Sequence, residues 1–122
     1  MNTPAKLAVL AITAAVLLLG AGRVEAGTGD ADPKQVAEGE ELFRTGCVSC
    51  HGMLAKGDGP TGRLLAGGVA DLTPALRQKE DRLLLEAISS GMGPMPAFAP
   101  ALSVDERAAL VIYLRDLGRS AP

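Results

Sequence analysis

Two thiols and an imidazole fall within five residues: Cys47-Val48-Ser49-Cys50-His51. They are the only two cysteines and the only histidine in the chain. The spacing is C-x-x-C-H, at which a c-type haem is attached. Two thiols separated by two residues reach both vinyl groups of one porphyrin and form thioethers. The histidine directly after the second thiol then lies under the iron with its imidazole free to coordinate. Other chemistry for these residues is less well served. A thioredoxin-type Cys-x-x-Cys couple opens a helix after a β-strand, and no βαβ pattern precedes Cys47. A structural zinc site takes four Cys or His ligands, and three stand here, close together. A disulfide across two residues is strained and leaves His51 without a role.

These residues need elements to hold them. The chain has 122 residues, enough for one small domain. Its first segment reads differently from the rest. Met1 to Lys6 is short and basic, Leu7 to Gly22 is apolar and uncharged, and Val24-Glu25-Ala26 places compact side chains three and one before a cut after Ala26. Residues 1–26 therefore read as a secretory signal peptide. The alternative is an uncleaved membrane anchor, but sixteen helical residues span only about 24 Å of a hydrocarbon core about 30 Å thick. Length favours cleavage, with residues 27–122 as the domain. Membrane contact is expected only if that segment stays. Export to the periplasm or beyond agrees with thioether attachment, which is completed outside the cytoplasm.

The chain carries 12 Lys and Arg against 14 Asp and Glu. Without Lys6, Arg23 and Glu25 the balance is 10 against 13, a net charge of −3. That argues against nucleic acid, which wants a basic face. It is compatible with docking to a basic patch on a partner. Large rings are scarce: Phe43, Phe98 and Tyr113 are all there are. A small domain buries a limited core, and a porphyrin would supply the missing apolar bulk.

Helix signals are clear, and no strand pattern or internal repeat accompanies them. Asp32-Pro33 opens a helix as N-cap and first helical residue, with Gln35 three after the cap. Val36, Gly39, Leu42 and Phe43 form its apolar stripe, and Gly46 ends it before the cysteines. Residues 52–68 hold too many glycines and prolines for regular structure. Asp71-Leu72-Thr73-Pro74 reads as a turn or helix start capped by Thr73. Glu80 to Ser90 reads as a helix with Leu83, Leu84, Ala87 and Ile88 on one face and Gly91 at its stop. Three prolines keep Met92 to Pro100 from being helical throughout. Ser103-Val104-Asp105-Glu106 is a capping box. It opens a last helix carrying Leu110, Val111, Tyr113, Leu114 and Leu117, ended by Gly118.

In this order and spacing the chain resembles the small class I-type monohaem cytochromes c, over essentially all of Asp32 to Gly118. The resemblance rests on Gly39 and Phe43, the Cys47-to-His51 motif, Gly57-Asp58-Gly59-Pro60, Asp71-Leu72-Thr73, Gly91, Met95-Pro96-Ala97-Phe98, and a closing helix with Leu110 and Tyr113-Leu114. It implies an all-α, cytochrome c-like fold: three main helices, joined by Gly/Pro-rich loops, around one covalently bound haem. One haem c per chain would be held through Cys47 and Cys50. His51 would be one axial ligand. A second is needed for six-coordination, and a thioether raises the potential by favouring reduced iron. Met53, Met92 and Met95 are the candidates. Met53 follows His51 too closely, Met92 is a rival in an equally loop-like setting, and the family places its ligand in a Met-Pro pair, hence Met95. By the same resemblance the Pro60 carbonyl accepts the Nδ1 hydrogen of His51, and Gly39 and Tyr113 mark the contact of the first and last helices.

The function implied is that of an exported electron carrier, not an enzyme. It would be a monomer that docks transiently with redox partner proteins. The alternative is a haem c subunit or dedicated partner of a larger periplasmic dehydrogenase, oxidase or reductase. A peroxidase or gas binder would need polar groups over an open iron face, and the single histidine is already used.

Overall fold

The computed structural model describes residues 31–121. The signal-peptide reading of residues 1–26 lies outside them. Asp32 starts α1 (Pro33–Gly46): its carboxylate accepts from the Lys34 N–H at 3.0 Å, and Pro33 fills the first position, where no N–H is needed. The helix buries Gly39 and Phe43, with Val36 and Leu42 half-buried beside them. After Gly46 the chain does not pass straight into loop. It makes one further turn, α2 (Val48–His51), which the reading by breakers had no means to separate from α1.

A 3₁₀ turn (Gly62–Leu64) interrupts the glycine-rich stretch. The helix start near Thr73 is real and becomes α3 (Thr73–Gln78), but Leu72 is its N-cap residue, and the side chain that bonds its first N–H is that of Asp71. Asp71 Oδ1 accepts from the Thr73 N–H at 2.8 Å and from its hydroxyl at 2.6 Å. A carboxylate reaches an N–H two residues on, which suits Asp better than the shorter Thr. These bonds, the hydroxyl's first, hold the Asp71 carboxyl below its ordinary range.

The next helix, α4 (Asp81–Ser90), starts one residue later than Glu80. The last, α5 (Val104–Ser120), opens on the expected capping box: Glu106 N–H donates to Ser103 Oγ at 3.1 Å, and Ser103 N–H donates to Glu106 Oε2 at 2.7 Å. It runs two residues past Gly118, so that glycine is not the stop. Gly118 is buried, and a Cβ there would lie 2.8 Å from Cβ of Leu76. The residue is small because α3 presses on it. The described residues contain no strand; their one isolated β-bridge pairs Met92 with Met95.

The largest interface is the crossing of α1 with α5, and α3 and α4 pack on α5 as well. Phe43 and Tyr113 meet there with ring centroids 5.5 Å apart and planes tilted by 49°, a favourable aromatic geometry. At Gly39 a Cβ would collide with the Ala109 carbonyl and sit 2.7 Å from Cβ of Tyr113. The expected contact of first and last helices is therefore present at the expected residues. Two arginines lock the other interface reciprocally. Arg77 of α3 donates to the carbonyls of Gly118 and Ala121 at the end of α5. Arg115 of α5 donates to the carbonyls of Leu76 and Lys79 at the end of α3 and to the Asp81 carboxylate. Each cation satisfies carbonyls that a helix end leaves without partners.

Gly39→Leu should force α1 away from α5, since backbone rather than a flexible side chain blocks the space. The expected cost is about 3 kcal/mol or more, read as a lowered melting temperature of the holoprotein. Wild-type melting would mean the helices do not cross at Gly39.

Candidate functional site

Cys47 stands between two helices. Its N–H donates to the Phe43 carbonyl at 2.9 Å, and its own carbonyl accepts from Cys50 at 3.2 Å and His51 at 2.9 Å. That single turn puts residues i, i+3 and i+4 on one face. Cys47, Cys50 and His51 are half-buried, and all three line one cleft. Both cysteines are free thiols. The disulfide alternative therefore falls. No cluster of three or more metal-ligating His, Cys, Asp or Glu exists among the described residues, and no strand precedes Cys47. Zinc and a thioredoxin-type couple lose their support as well.

Burial, and then the neighbouring Cys50, push the Cys47 thiol up to about 11. Burial lowers the His51 imidazole below its ordinary value. Desolvation acts against charge in both cases. The site thus holds a protonated thiol and a neutral imidazole, the form of histidine that binds metal. His51 Nδ1 is buried with no hydrogen-bond partner.

The expected bond to the Pro60 carbonyl is thus not formed in this structure. Pro60 is exposed and does not line the cleft. Gly59 and Thr61 on either side of Pro60 are held by the backbone of α2. Thr61 N–H donates to the Ser49 carbonyl at 2.8 Å, and a Cβ on Gly59 would come within 2.5 Å of the Val48 and Ser49 carbonyls. The loop braces α2 from behind.

The second wall is α4 and the segment after it. Leu83, Leu84, Ala87 and Ile88 face the cleft, as their periodicity implied. Gly91 ends α4 at φ +75°, and a Cβ there would lie 2.5 Å from the Met95 carbonyl and 2.8 Å from the Pro96 carbonyl carbon. Only glycine suits both the left-handed backbone and the passing chain. Met92 and Met95 exchange backbone bonds of 3.1 and 3.0 Å across a tight turn. Phe98 and Ala99 then donate to the Ile88 and Ser89 carbonyls at 3.0 and 3.2 Å, tying the segment back to α4. Met92 and Met95 line the cleft, but Met53 does not. Met92 is 70% exposed, whereas Met95 is half-buried against the core.

The cleft has a volume of about 770 Å³, in the upper part of the ordinary range for a ligand site. Leu110 and Leu114 of α5 contribute to it from the core. The sequence reading missed the side formed by Leu65, Val69, Ala70 and Leu72. Their apolar spacing was masked by the surrounding glycines.

A helical fold built around an apolar cleft, with two cysteines and a histidine on one turn at its edge, defines a c-type cytochrome domain. Residues 34–114 match the family model described as "Cytochrome C oxidase, cbb3-type, subunit III", and the chain belongs to this family of cytochrome c domains. It is 34% identical over 85 residues to the cytochrome bc1 complex cytochrome c subunit of Corynebacterium diphtheriae, covering 69% of this chain and 28% of that one. It is 31% identical over 86 residues to the cbb3-type cytochrome c oxidase subunit FixP of Rhizobium meliloti, covering 70% and 29%. The chain thus spans under a third of these relatives' length. Among solved structures, a chain of the Kuenenia stuttgartiensis reducing HAO-like protein complex Kustc0457/Kustc0458 superposes with a TM-score of 0.62 at 26% identity, covering 70% of this chain and 44% of that one. Haem c is the cofactor of this domain and electron transfer is its function.

The residues fit that group. The lining is mostly apolar, two free thiols stand at the edge, and a buried imidazole nitrogen lacks a partner. The turn after α4 can be tested directly. Gly91→Val should strain the backbone and displace the Met95 segment, at a cost of roughly 2 kcal/mol or more. A melting curve equal to wild type would show that the segment is not held by that contact.

Proposed function

We propose that residues 27–122 are an exported electron-carrier domain with one haem c, attached through Cys47 and Cys50 and bound at iron by His51 and Met95. The observation that carries this is convergence: all four side chains line one cleft, three from a single turn and the fourth from the segment held over Gly91. The haem supplies one-electron redox chemistry between ferrous and ferric iron. Cys47 and Cys50 would each add across one vinyl double bond, sulfur to one carbon and hydrogen to the other, so attachment would consume no oxidant. His51 is neutral and donates a ring nitrogen. Met95 is favoured over Met92 because it is half-buried and packed on the core, while Met92 is largely exposed. Pro60 is the loop carbonyl that would accept from Nδ1 once the ring is fixed by iron.

No substrate chemistry is proposed. With His51 and Met95 both bound, the iron would keep no open face, and the described residues bury no polar or charged side chain to act on a bound molecule. Residues 1–26 are proposed as the export signal, which places the domain in the periplasm or an equivalent exterior. No helix among the described residues is long and apolar enough to cross a membrane. A monomer docking transiently with redox partners is the first reading. The second is a haem c subunit or dedicated partner of a larger respiratory complex. It is supported by the names of the relatives, one a bc1 subunit and one a cbb3 oxidase subunit.

Intact mass spectrometry of the exported protein tests attachment and cleavage together. The expected mass is that of residues 27–122 plus one haem, and Cys47→Ala with Cys50→Ala should lose the haem mass. Protein lacking that mass in the wild type would end the reading.

The axial ligand is tested by spectrum and potential. Met95→Ala should remove the weak red-edge absorption of ferric methionine-ligated haem and lower the midpoint potential, because a soft thioether favours ferrous iron. Met92→Ala should leave both nearly unchanged. The reverse pattern would assign the iron to Met92, and no change in either would exclude methionine ligation.

A further inference from the structure

α4 ends at Ser90, and the last carbonyls of a helix have no partner within it. Here the segment that carries Met95 supplies the donors. Gly91 N–H donates to the Ala87 carbonyl at 2.9 Å, Phe98 N–H to that of Ile88 at 3.0 Å, and Ala99 N–H to that of Ser89 at 3.2 Å. Residues 91–99 therefore form a loop whose two feet stand on one helical turn, with Met95 between them. Whatever fixes that turn bears on Met95.

One side chain reaches the turn from another helix. Arg107 of α5 donates through Nη1 to Ser89 Oγ, and through Nε to the Ser103 carbonyl at 3.2 Å. Ser89 Oγ in turn donates to the Leu85 carbonyl at 2.6 Å. Among the described residues, no other side-chain hydrogen bond joins the last turn of α4 to α5; the bond of Arg115 to Asp81 lies at the opposite end of α4. Arg107 and Ser89 are both half-buried. The ion pairs of the described residues use Arg44, Arg82, Arg115 and Arg119, not Arg107. A guanidinium partly withdrawn from water and without a carboxylate needs fixed acceptors, and its charge suits the C-terminal end of α4.

We propose that Arg107, acting through Ser89, is a positioning residue for the Met95 ligand and governs how often its sulfur leaves the iron. The proposal rests on the Met95 ligation argued in the preceding subsection. Ser89 is the joint: α5 grips its hydroxyl, and its carbonyl holds Ala99 at the far foot of the loop. A ligand carried on a loop is released when the loop opens. Helix ends open locally at little cost, and fraying of the last turn of α4 would release Phe98 and Ala99 together. Arg107 opposes that motion with a charge-assisted hydrogen bond. Gly91 secures the near foot by shape, and Arg107 secures the far foot by charge. Neither Arg107 nor Ser89 lines the cleft. They therefore act on the lifetime of the closed loop, not on the bound ligand itself.

The test is the rate at which the ferric holoprotein captures cyanide, at concentrations where the rate no longer rises with cyanide and release of the sulfur is limiting. Amide hydrogen exchange at Phe98 and Ala99 is measured alongside. Ser89→Ala removes the hydroxyl without lowering helix propensity, and Arg107→Gln removes the cation. Each should capture cyanide about tenfold faster than wild type, the scale of one hydrogen bond to a charged group. Exchange at Phe98 and Ala99 should quicken with it, while the red-edge absorption stays. The double variant should be no faster than either single one, because the two residues act as one unit. Ser89→Thr keeps a hydroxyl and should follow wild type. Arg77→Gln is the control: it removes an equal charge and a bond between α3 and α5, so it should lower the melting temperature and leave cyanide capture unchanged. If Ser89→Ala and Arg107→Gln capture cyanide at the wild-type rate, or if Arg77→Gln is accelerated as much as they are, the positioning role is wrong and Met95 ligation stands. If the ferric wild type lacks the red-edge absorption, the ligation reading falls and the positioning role with it.

Discussion

The close crossing of α1 and α5 at Gly39 is the constraint on which the rest depends. The backbone of Gly39 lies against the Ala109 carbonyl, with Phe43 and Tyr113 packed alongside. Such closeness does two jobs. It directs the end of α1, and therefore Cys47 and the turn of α2, to one edge of the cleft. It also buries Leu110 and Leu114 of α5, which continue from the crossing into the cleft lining. The attachment residues and the apolar wall they face are positioned by the same contact.

From α5 the order passes to the other wall. Leu76 seats on Gly118, and the paired arginines, Arg77 and Arg115, exchange grips on the ends of α5 and α3. Arg115 continues to Lys79 and Asp81, so α4 begins at a fixed place. At the far end of α4, Gly91 lets the Met95 segment cross its backbone. Both walls pack on α5. That arrangement leaves a cleft between them that the chain's few aromatic rings do not fill. In a domain of this size, an unfilled apolar cavity is costly, and a bound porphyrin converts it into core. The holoprotein should therefore be far more stable than the polypeptide alone.

The sequence carried most of this in plain form where one residue type has one good physical use. Cys47, Cys50 and His51 are of that kind, as are the Ser103–Glu106 capping box and the Gly39–Tyr113 crossing. Reading failed where a residue has two uses. Gly118 looked like a helix stop and is a packing contact inside the helix. Thr73 looked like a cap, but Asp71 reaches its N–H more easily. Residues 52–72 looked like breakers alone, yet Gly59 lies close against α2, and Leu65, Val69 and Leu72 help line the cleft. Arg77 and Arg115 were invisible because their partners are backbone carbonyls about 40 residues away in the chain, and no local pattern records a bond of that span. The Pro60 carbonyl was assigned to His51 by resemblance alone, and in this structure Nδ1 has no partner.

Free carrier and subunit differ in what faces the mouth of the cleft, not in the cleft itself. The described residues 31–121 have their own core, built largely from α1, α3, α4 and α5, and every residue proposed to hold the haem is among those described residues. The same unit can therefore operate alone or as part of a longer chain. Leu83, 38% exposed, and Met92, 70% exposed, stand on the rim while also lining the interior. A partner covering them would bury apolar surface close to the redox centre. A small contact of that sort suits brief electron-transfer encounters, whereas a permanent subunit contact usually buries well over about 2,000 Å².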